Sequence, residues 1–199
     1  MPKRQPLPII GQPQPERADA ARNRQKIIDV AARIIDDRGA EQLSLDEVAR
    51  EACVGVGTVY RRFGDRSGLL YALLDERERR FQQAFLSGPP PIGPGAPPAA
   101  RVRAFLSALV DRIVDQVDMF LLLESGDGKS RYGGPYRVHH THLATLLAQA
   151  KPGCDPHFLA DALLAPLNAS LICFQRDERG MTVDDIKRGF AALAEAVTS

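Results

Sequence analysis

The sequence predicts an all-α protein, about nine helices in all, with a small three-helix head and a larger helical body. Three observations predict it. The stretch 44–70, SLDEVAREACVGVGTVYRRFGDRSGLL, reads as two short helices held at a fixed turn and followed by a third. Apolar residues recur at three- and four-residue spacing in the longer segments on both sides of it. Helix start signals stand where that spacing begins, at Ser44, Asp65 and Thr182.

Composition is that of a soluble globular chain: 199 residues, 44% apolar and 26% charged. The formal net charge of +1 announces no nucleic-acid partner, so the distribution of charge matters more. Residues 1–19 form a proline-rich arm expected to be disordered. Over 1–26 Lys3, Arg4, Arg17, Arg22, Arg24 and Lys26 outweigh Glu16 and Asp19. Such an arm either tracks phosphates or is a solvated leader; Arg22 and Arg24, next to the first helix, are placed on a DNA backbone. Cys53, Cys154 and Cys173 are isolated, which excludes a disulfide scaffold and makes reduced cytoplasmic thiols the expectation. Cys173 is read as a small buried hydrophobe, with a redox role as the alternative. No signal peptide is read at the start, and no run approaches the ~18 apolar residues of a membrane span.

The first helix is expected over 20–37, buried along Ile27, Ala31, Ile34 and Ile35, and ended by Gly39. Ser44 and Glu47 have the spacing of a capping box, so a second helix opens at Leu45 and faces inward through Val48, Ala49 and Ala52. After a turn at 53–55 a helix of about two turns follows. Val59 and Phe63 are its inward residues, and Thr58, Tyr60, Arg61 and Arg62 are left outside. A short helix with a polar, basic outer face, fixed by the helix before it, is how a major-groove reader is built.

The residues 52–70, ACVGVGTVYRRFGDRSGLL, resemble the turn, recognition helix and fourth-helix entry of the tetracycline-repressor (TetR-type) family of bacterial regulators, and 22–49 resembles that family's first helix and second-helix entry. Together they cover roughly the N-terminal third of the chain. The chain departs from the family's usual Gly-Val-Ser in having Cys53, Val54 and Gly55, so Gly55 must serve as N-cap without a hydroxyl. Arg66 replaces the usual Lys and Arg62 the usual His. The resemblance implies a helix-turn-helix DNA-binding domain over 20–66 and a helical effector-binding and dimerisation domain over 67–199. It implies DNA contacts at Ser44, Val56, Gly57, Thr58, Tyr60, Arg61, Arg62 and Arg66, besides Arg22 and Arg24. For Tyr60 the alternative is a ring packed under the turn, and for Arg66 a surface ion pair with Asp65 or a neighbour.

The fourth helix, capped by Asp65, is expected to run to Leu86 as a rod of roughly 30 Å. Its charged run Asp75, Glu76, Arg77, Glu78, Arg79 and Arg80 is read as a solvated face. Residues 88–98, GPPPIGPGAPP, are read as a semi-extended boundary before the body. Arg101 to Gln116 forms the fifth helix. Met119 to Leu123 is a short sixth, buried on all sides; 125–134 is a loop; Pro135 to Gln149 is the seventh. The eighth, Phe158 to Phe174, has Pro166 inside it and is therefore kinked or in two pieces. The ninth is capped by Thr182 with Asp185 and buried along Ile186, Phe190, Leu193 and Val197. Helices this apolar make the last two the expected homodimer seam.

No catalytic constellation emerges, so an enzyme is not expected, nor is any cofactor. Ligands on one helical face want a spacing of three or four, and the adjacent His139 and His140 point apart, so metal is only the lesser alternative for the cluster His139, His140 and His142; GVGTVY lacks the third glycine and preceding strand of a dinucleotide site. The family resemblance implies an effector cavity lined by Phe81, Phe85, Phe105, Leu109, Met119, Leu122, Leu143 and Phe174, with His139 or His142 as a polar group; an ordinary core explains the same residues. The reading that results is a dimeric regulator binding a palindromic operator in double-stranded DNA, most simply a repressor released by an unknown small molecule. A ligand-independent activator or architectural protein is the alternative.

Overall fold

The computed structural model describes residues 15–124 and 134–199. The described residues are helical with no strand, and the chain divides into two compact units, one ending at Asp75 and the other starting at Glu76.

The first unit contains α1 (Pro15–Arg38), a turn of 3-10 helix (Ala40–Gln42), α2 (Leu45–Glu51), α3 (Val56–Phe63) and the start of α4 (Arg66–Ser87). Helix α1 opens earlier than expected, at Pro15, because proline suits a first turn whose amides have no helical partner. Residues 15–19 of the expected arm are thus helical, while 1–14 lie outside the described residues. Ile27, Ile34, Val48, Ala52, Val59 and Leu69 are buried, so every helix of the unit contributes to one small core. The expected capping box at Ser44 does not form. Ser44 occupies the N-cap in extended backbone, but its side chain makes no cap hydrogen bond. Glu47 instead meets Arg38 at 3.0 Å and Arg50 at 3.6 Å. A carboxylate between two guanidiniums gains more than one bonded back to a neutral amide.

Asp65 caps α4 as expected, its carboxylate accepting from Gly68 N at 2.8 Å. Gly68 must stay bare there: a Cβ would stand 1.9 Å from the Phe63 carbonyl oxygen.

The second unit contains the rest of α4, α5 (Pro98–Asp115), α6 (Val117–Glu124), α7 (Gly134–Ala150), α8 (Pro156–Leu164), α9 (Ala169–Asp177) and α10 (Val183–Thr198). Helix α5 is central, packing against α10 and α7, and α7 against α8. Val102, Phe105, Leu106, Leu109 and Ile113 are buried along it, as their spacing predicts. Residues 88–98 are not a semi-extended link. They fold into a compact turn in which Gly93 N donates to Pro89 O at 3.0 Å, and Arg101 holds the turn through Phe85 O at 3.0 Å and Ile92 O at 3.5 Å. A side chain on Gly93 would collide with Gly88 O at 1.8 Å.

The expected eighth helix is two pieces, α8 and α9, meeting at 51°. Pro166 cannot continue the ladder, and the chain restarts with Asn168 as N-cap, accepting from Leu171 N at 2.8 Å. That division brings the α-helices to ten among the described residues. Helix α6 is not buried all round, since Leu121 is exposed. Leu193 lies outside the α10 stripe and Ala194 is buried in its place, because the helix advances about 100° per residue. Thr182 and Asp185 do form their capping box. The loop expected over 125–134 falls outside the described residues except for Gly134, which opens α7. No single helix among the described residues is long and apolar enough to cross a membrane, although the bent pair α8 and α9 passes the same test together.

The largest departure is on α4. Glu78, expected on a solvated face, is only 6% exposed. Its carboxylate receives Arg112 from α5, His139 Nε2 from α7 at 2.9 Å and Gln82 Nε2 at 2.8 Å. Burial raises its pKa, but the His139 hydrogen bond and charge, the Arg112 charge and Gln82 outweigh it and hold the acid at about 2. Glu78→Ala strands a buried guanidinium and is expected to cost about 3–5 kcal/mol in urea unfolding, whereas Glu78→Leu combined with Arg112→Met stays within about 1–2 kcal/mol of the parent.

His142 behaves oppositely. Burial, with Arg101 and His139 nearby, lowers its pKa from 6.5 to about 4, so the folded state keeps it neutral. Below 6.5 the unfolded chain binds the proton and the folded chain does not, so stability falls as pH drops from 6.5 towards 4. Thermal midpoints measured across that window should decline in the parent and flatten in His142→Leu.

Candidate nucleic-acid interface

Helix α2 ends in a hydrogen-bonded reversal: Val54 N donates to Ala49 O at 3.0 Å and Cys53 N to Arg50 O at 3.2 Å. The two bonds define a Schellman cap, whose pivot takes a left-handed conformation and is usually glycine. Here the pivot is Cys53, at φ 52°. The reversal sets the angle at which α3 departs. Gly55 is the N-cap of α3 in extended backbone, and Thr58 N reaches Gly55 O at 2.8 Å.

Val59 and Phe63 anchor α3 inward, as their spacing predicts. Val56, Gly57, Tyr60, Arg61 and Arg62 are exposed and Thr58 is half-buried. The Tyr60 ring is therefore not packed under the turn. A Cβ on Gly57 would meet nothing within 4 Å, so the first turn of α3 presents bare backbone outward. Ser44 is exposed at the start of α2.

Two of the arginines are tied down inside the head. Arg62 Nη1 donates to Ala20 O at 2.5 Å, fixing the end of α3 to α1. Arg66 Nη2 donates to Ala40 O at 2.7 Å, joining α4 to the 3-10 turn; the partner is neither Asp65 nor solvent alone. Arg22 pairs with Asp19 one turn back on α1, and Arg24 is half-buried. A guanidinium has five N–H donors, so an arginine anchored by one keeps others for a phosphate.

In the second unit a ring cluster unites five of the residues expected around an effector. Phe81 lies 5.2 Å from Phe85, 5.3 Å from Phe105 and 5.4 Å from His139, while His142 lies 4.4 Å from Phe85 and 5.0 Å from Phe105. Leu109, Met119 and Leu143 are buried, and the Leu122 side chain lies outside the described residues. Phe174 does not join them. It is 45% exposed on α9, with the Arg179 guanidinium 5.0 Å from its ring.

Sequence reasoning missed Glu78, Arg112 and Phe120, which adjoin the cluster. Arg112 stands 5.4 Å from the Phe81 ring and 5.8 Å from Phe120. The signal was present: Glu78 stands four residues after Leu74, three before Phe81 and seven before Phe85, on one helical face. Cys53 is exposed, and Cys154 and Cys173 are half-buried.

This geometry is that of a DNA-reading helix-turn-helix on a helical body, and comparison with known proteins agrees. The family model for bacterial regulatory proteins of the tetR family matches residues 27–73. An HTH-type transcriptional regulator of Staphylococcus aureus (strain USA300) is 27% identical over 170 residues, covering 84% of this chain and 90% of that protein. The fold is shared with FadR from Bacillus subtilis in complex with stearoyl-CoA (TM-score 0.63, 16% identity, covering 88% of this chain and 97% of that one). It is also shared with SmeT in its triclosan complex (TM-score 0.63, 17% identity, covering 88% and 90%). Over residues 27–73 the chain carries the tetR-family helix-turn-helix pattern, and over most of its length it resembles helix-turn-helix transcriptional regulators.

Cys53 offers a direct check on the turn. A non-glycine residue in the left-handed region costs roughly 1–2 kcal/mol, partly offset by glycine's greater freedom when unfolded. Cys53→Gly is expected to raise the unfolding free energy by up to about 1 kcal/mol, and Cys53→Val to lower it by about 1–2 kcal/mol, as read by chemical denaturation.

Proposed function

We propose that the protein works as a homodimer that binds a palindromic operator in duplex DNA and represses transcription until a small molecule occupies its body. The observation that carries this reading is the outward face of α3, where Val56, Gly57, Tyr60 and Arg61 stand exposed on a helix locked from behind by Val59 and Phe63. Val56 and the Thr58 methyl suit a thymine methyl, and the bare backbone at Gly57 lets the duplex come close. Tyr60 and Thr58 hydroxyls, Ser44, and Arg61, Arg62 and Arg66 suit phosphates, with Arg22 and Arg24 following the backbone beyond. The positive ends of α2 and α4 favour the same anions.

A dimer has to hold two such helices about 34 Å apart to meet successive major grooves. Exposed apolar side chains on the last three helices support pairing there: Phe158 on α8, Phe174 on α9 and Leu193 on α10. Helix α4 lends Leu69 and Leu73 to the head and Phe81 and Phe85 to the body cluster, so a ligand that shifts the body end of this helix changes the dimer spacing. FadR in complex with stearoyl-CoA and SmeT in its triclosan complex support a body that accepts a small molecule.

The test is a gel shift at stated salt, using inverted repeats upstream of the gene and its neighbours, with and without candidate small molecules. Specific retention by a short palindrome, weakening steeply with salt, is expected; no retention, or a long non-specific footprint, would count against the reading. Gly57→Ala separates contact from folding. It should stabilise the chain by a few tenths to about 1 kcal/mol through helix propensity, yet weaken operator binding by crowding the duplex.

A further inference from the structure

Arg112 lies in the last turn of α5 and Gln116, four residues on, is the C-cap that ends the helix. Both are buried, the Arg112 side chain 10% exposed and Gln116 8%. Arg112 Nε and Gln116 Oε1 nevertheless have no hydrogen-bond partner. Buried polar atoms nearly always have one, so an open donor and an open acceptor four residues apart at the end of α5 call for partners.

The charge around them limits what that group can be. Arg112 already gives Nη1 to Glu78, whose carboxylate also takes His139 and Gln82. Arg101, the cation near the start of α5, is about 16 Å along the helix and bound to the Phe85 and Ile92 carbonyls. An anion would have to compete with Glu78 for the Arg112 guanidinium, and a cation would face that guanidinium; a neutral group does neither. The neighbouring surface is aromatic, with Phe81 and Phe120 against Arg112.

We propose that the effector is a neutral, aromatic small molecule with a carboxamide-like or lactam-like head, accepting a hydrogen bond from Arg112 Nε and donating one to Gln116 Oε1. The inference rests on the ligand-released reading above and names the class of ligand for it. A carboxamide carries both a donor and an acceptor, the two partners that Gln116 Oε1 and Arg112 Nε lack. Its ring lies against the aromatic side chains next to Arg112.

Three probes of one shape separate the charge classes: naphthalene-2-carboxamide, naphthalene-2-carboxylate and naphthalen-2-ylmethylammonium, each titrated calorimetrically into the full chain. The carboxamide should bind at least about tenfold more tightly than either ion. Gln116→Leu should weaken carboxamide binding about tenfold while raising the thermal midpoint of the unliganded chain, because it removes an unsatisfied buried group. A purely structural glutamine would not move the two in opposite directions. Arg112→Lys, which keeps the cation beside Glu78 and removes the Nε donor, should weaken binding similarly; should it fail to fold, the glutamine variant decides alone. Tighter binding of either ion, no binding of the carboxamide, or carboxamide binding unchanged in Gln116→Leu would overturn the proposal. A gel shift on the same preparations keeps the two readings apart. Operator binding without carboxamide binding defeats this inference only, and carboxamide binding that leaves the operator complex intact defeats ligand release only.

Discussion

The angle between α2 and α3 is the constraint on which the rest of the molecule depends. It is set by two short hydrogen bonds around Cys53, held at φ 52°, and by the burial of Val48, Ala52, Val59 and Phe63 beneath. Val56, Gly57, Tyr60 and Arg61 stand exposed on the opposite side of α3, so their direction is inherited from that turn. Arg62 and Arg66 brace the arrangement through the carbonyls of Ala20 and Ala40. These arginines fix the reading helix as well as adding charge to it. Losing either would disturb shape before it reduced attraction.

In the body a buried ion group plays the corresponding part. Glu78, Arg112 and His139 tie α4, α5 and α7 together in surroundings made of aromatic rings. Buried ion pairs seldom add net stability over a packed apolar core, but they penalise every arrangement that separates the partners. The group therefore selects one packing of three helices. It also leaves Arg112 Nε and Gln116 Oε1 without partners beside it.

Much of the fold was legible because its signals are local. Leu45 opens α2, Val59 and Phe63 face inward, Asp65 caps α4, and Thr182 with Asp185 caps α10, each decided by residues within one or two turns. What was not legible depends on partners far along the chain. Glu47 leaves its capping role because Arg38 stands within reach, and Glu78 goes inward because Arg112 and His139 arrive from α5 and α7. Phe174 and Leu193 show the reverse: apolar spacing marked them as interior, yet both are exposed, because spacing along one helix does not say which of its apolar residues a neighbouring helix covers. For the site, the exposed face of α3 could be read in the sequence, whereas the anchoring of its arginines could not.

Methylation protection on the operator tests the central claim most directly, because dimethyl sulfate attacks guanine N7 in the major groove, the groove that the proposed complex assigns to α3. Two protected patches about 10 base pairs apart on one face of the duplex, both lost in a variant with Val56 and Tyr60 replaced by Ala, are the predicted result. Bound DNA with its major-groove guanines still reactive, or a single continuous protected tract, would contradict it.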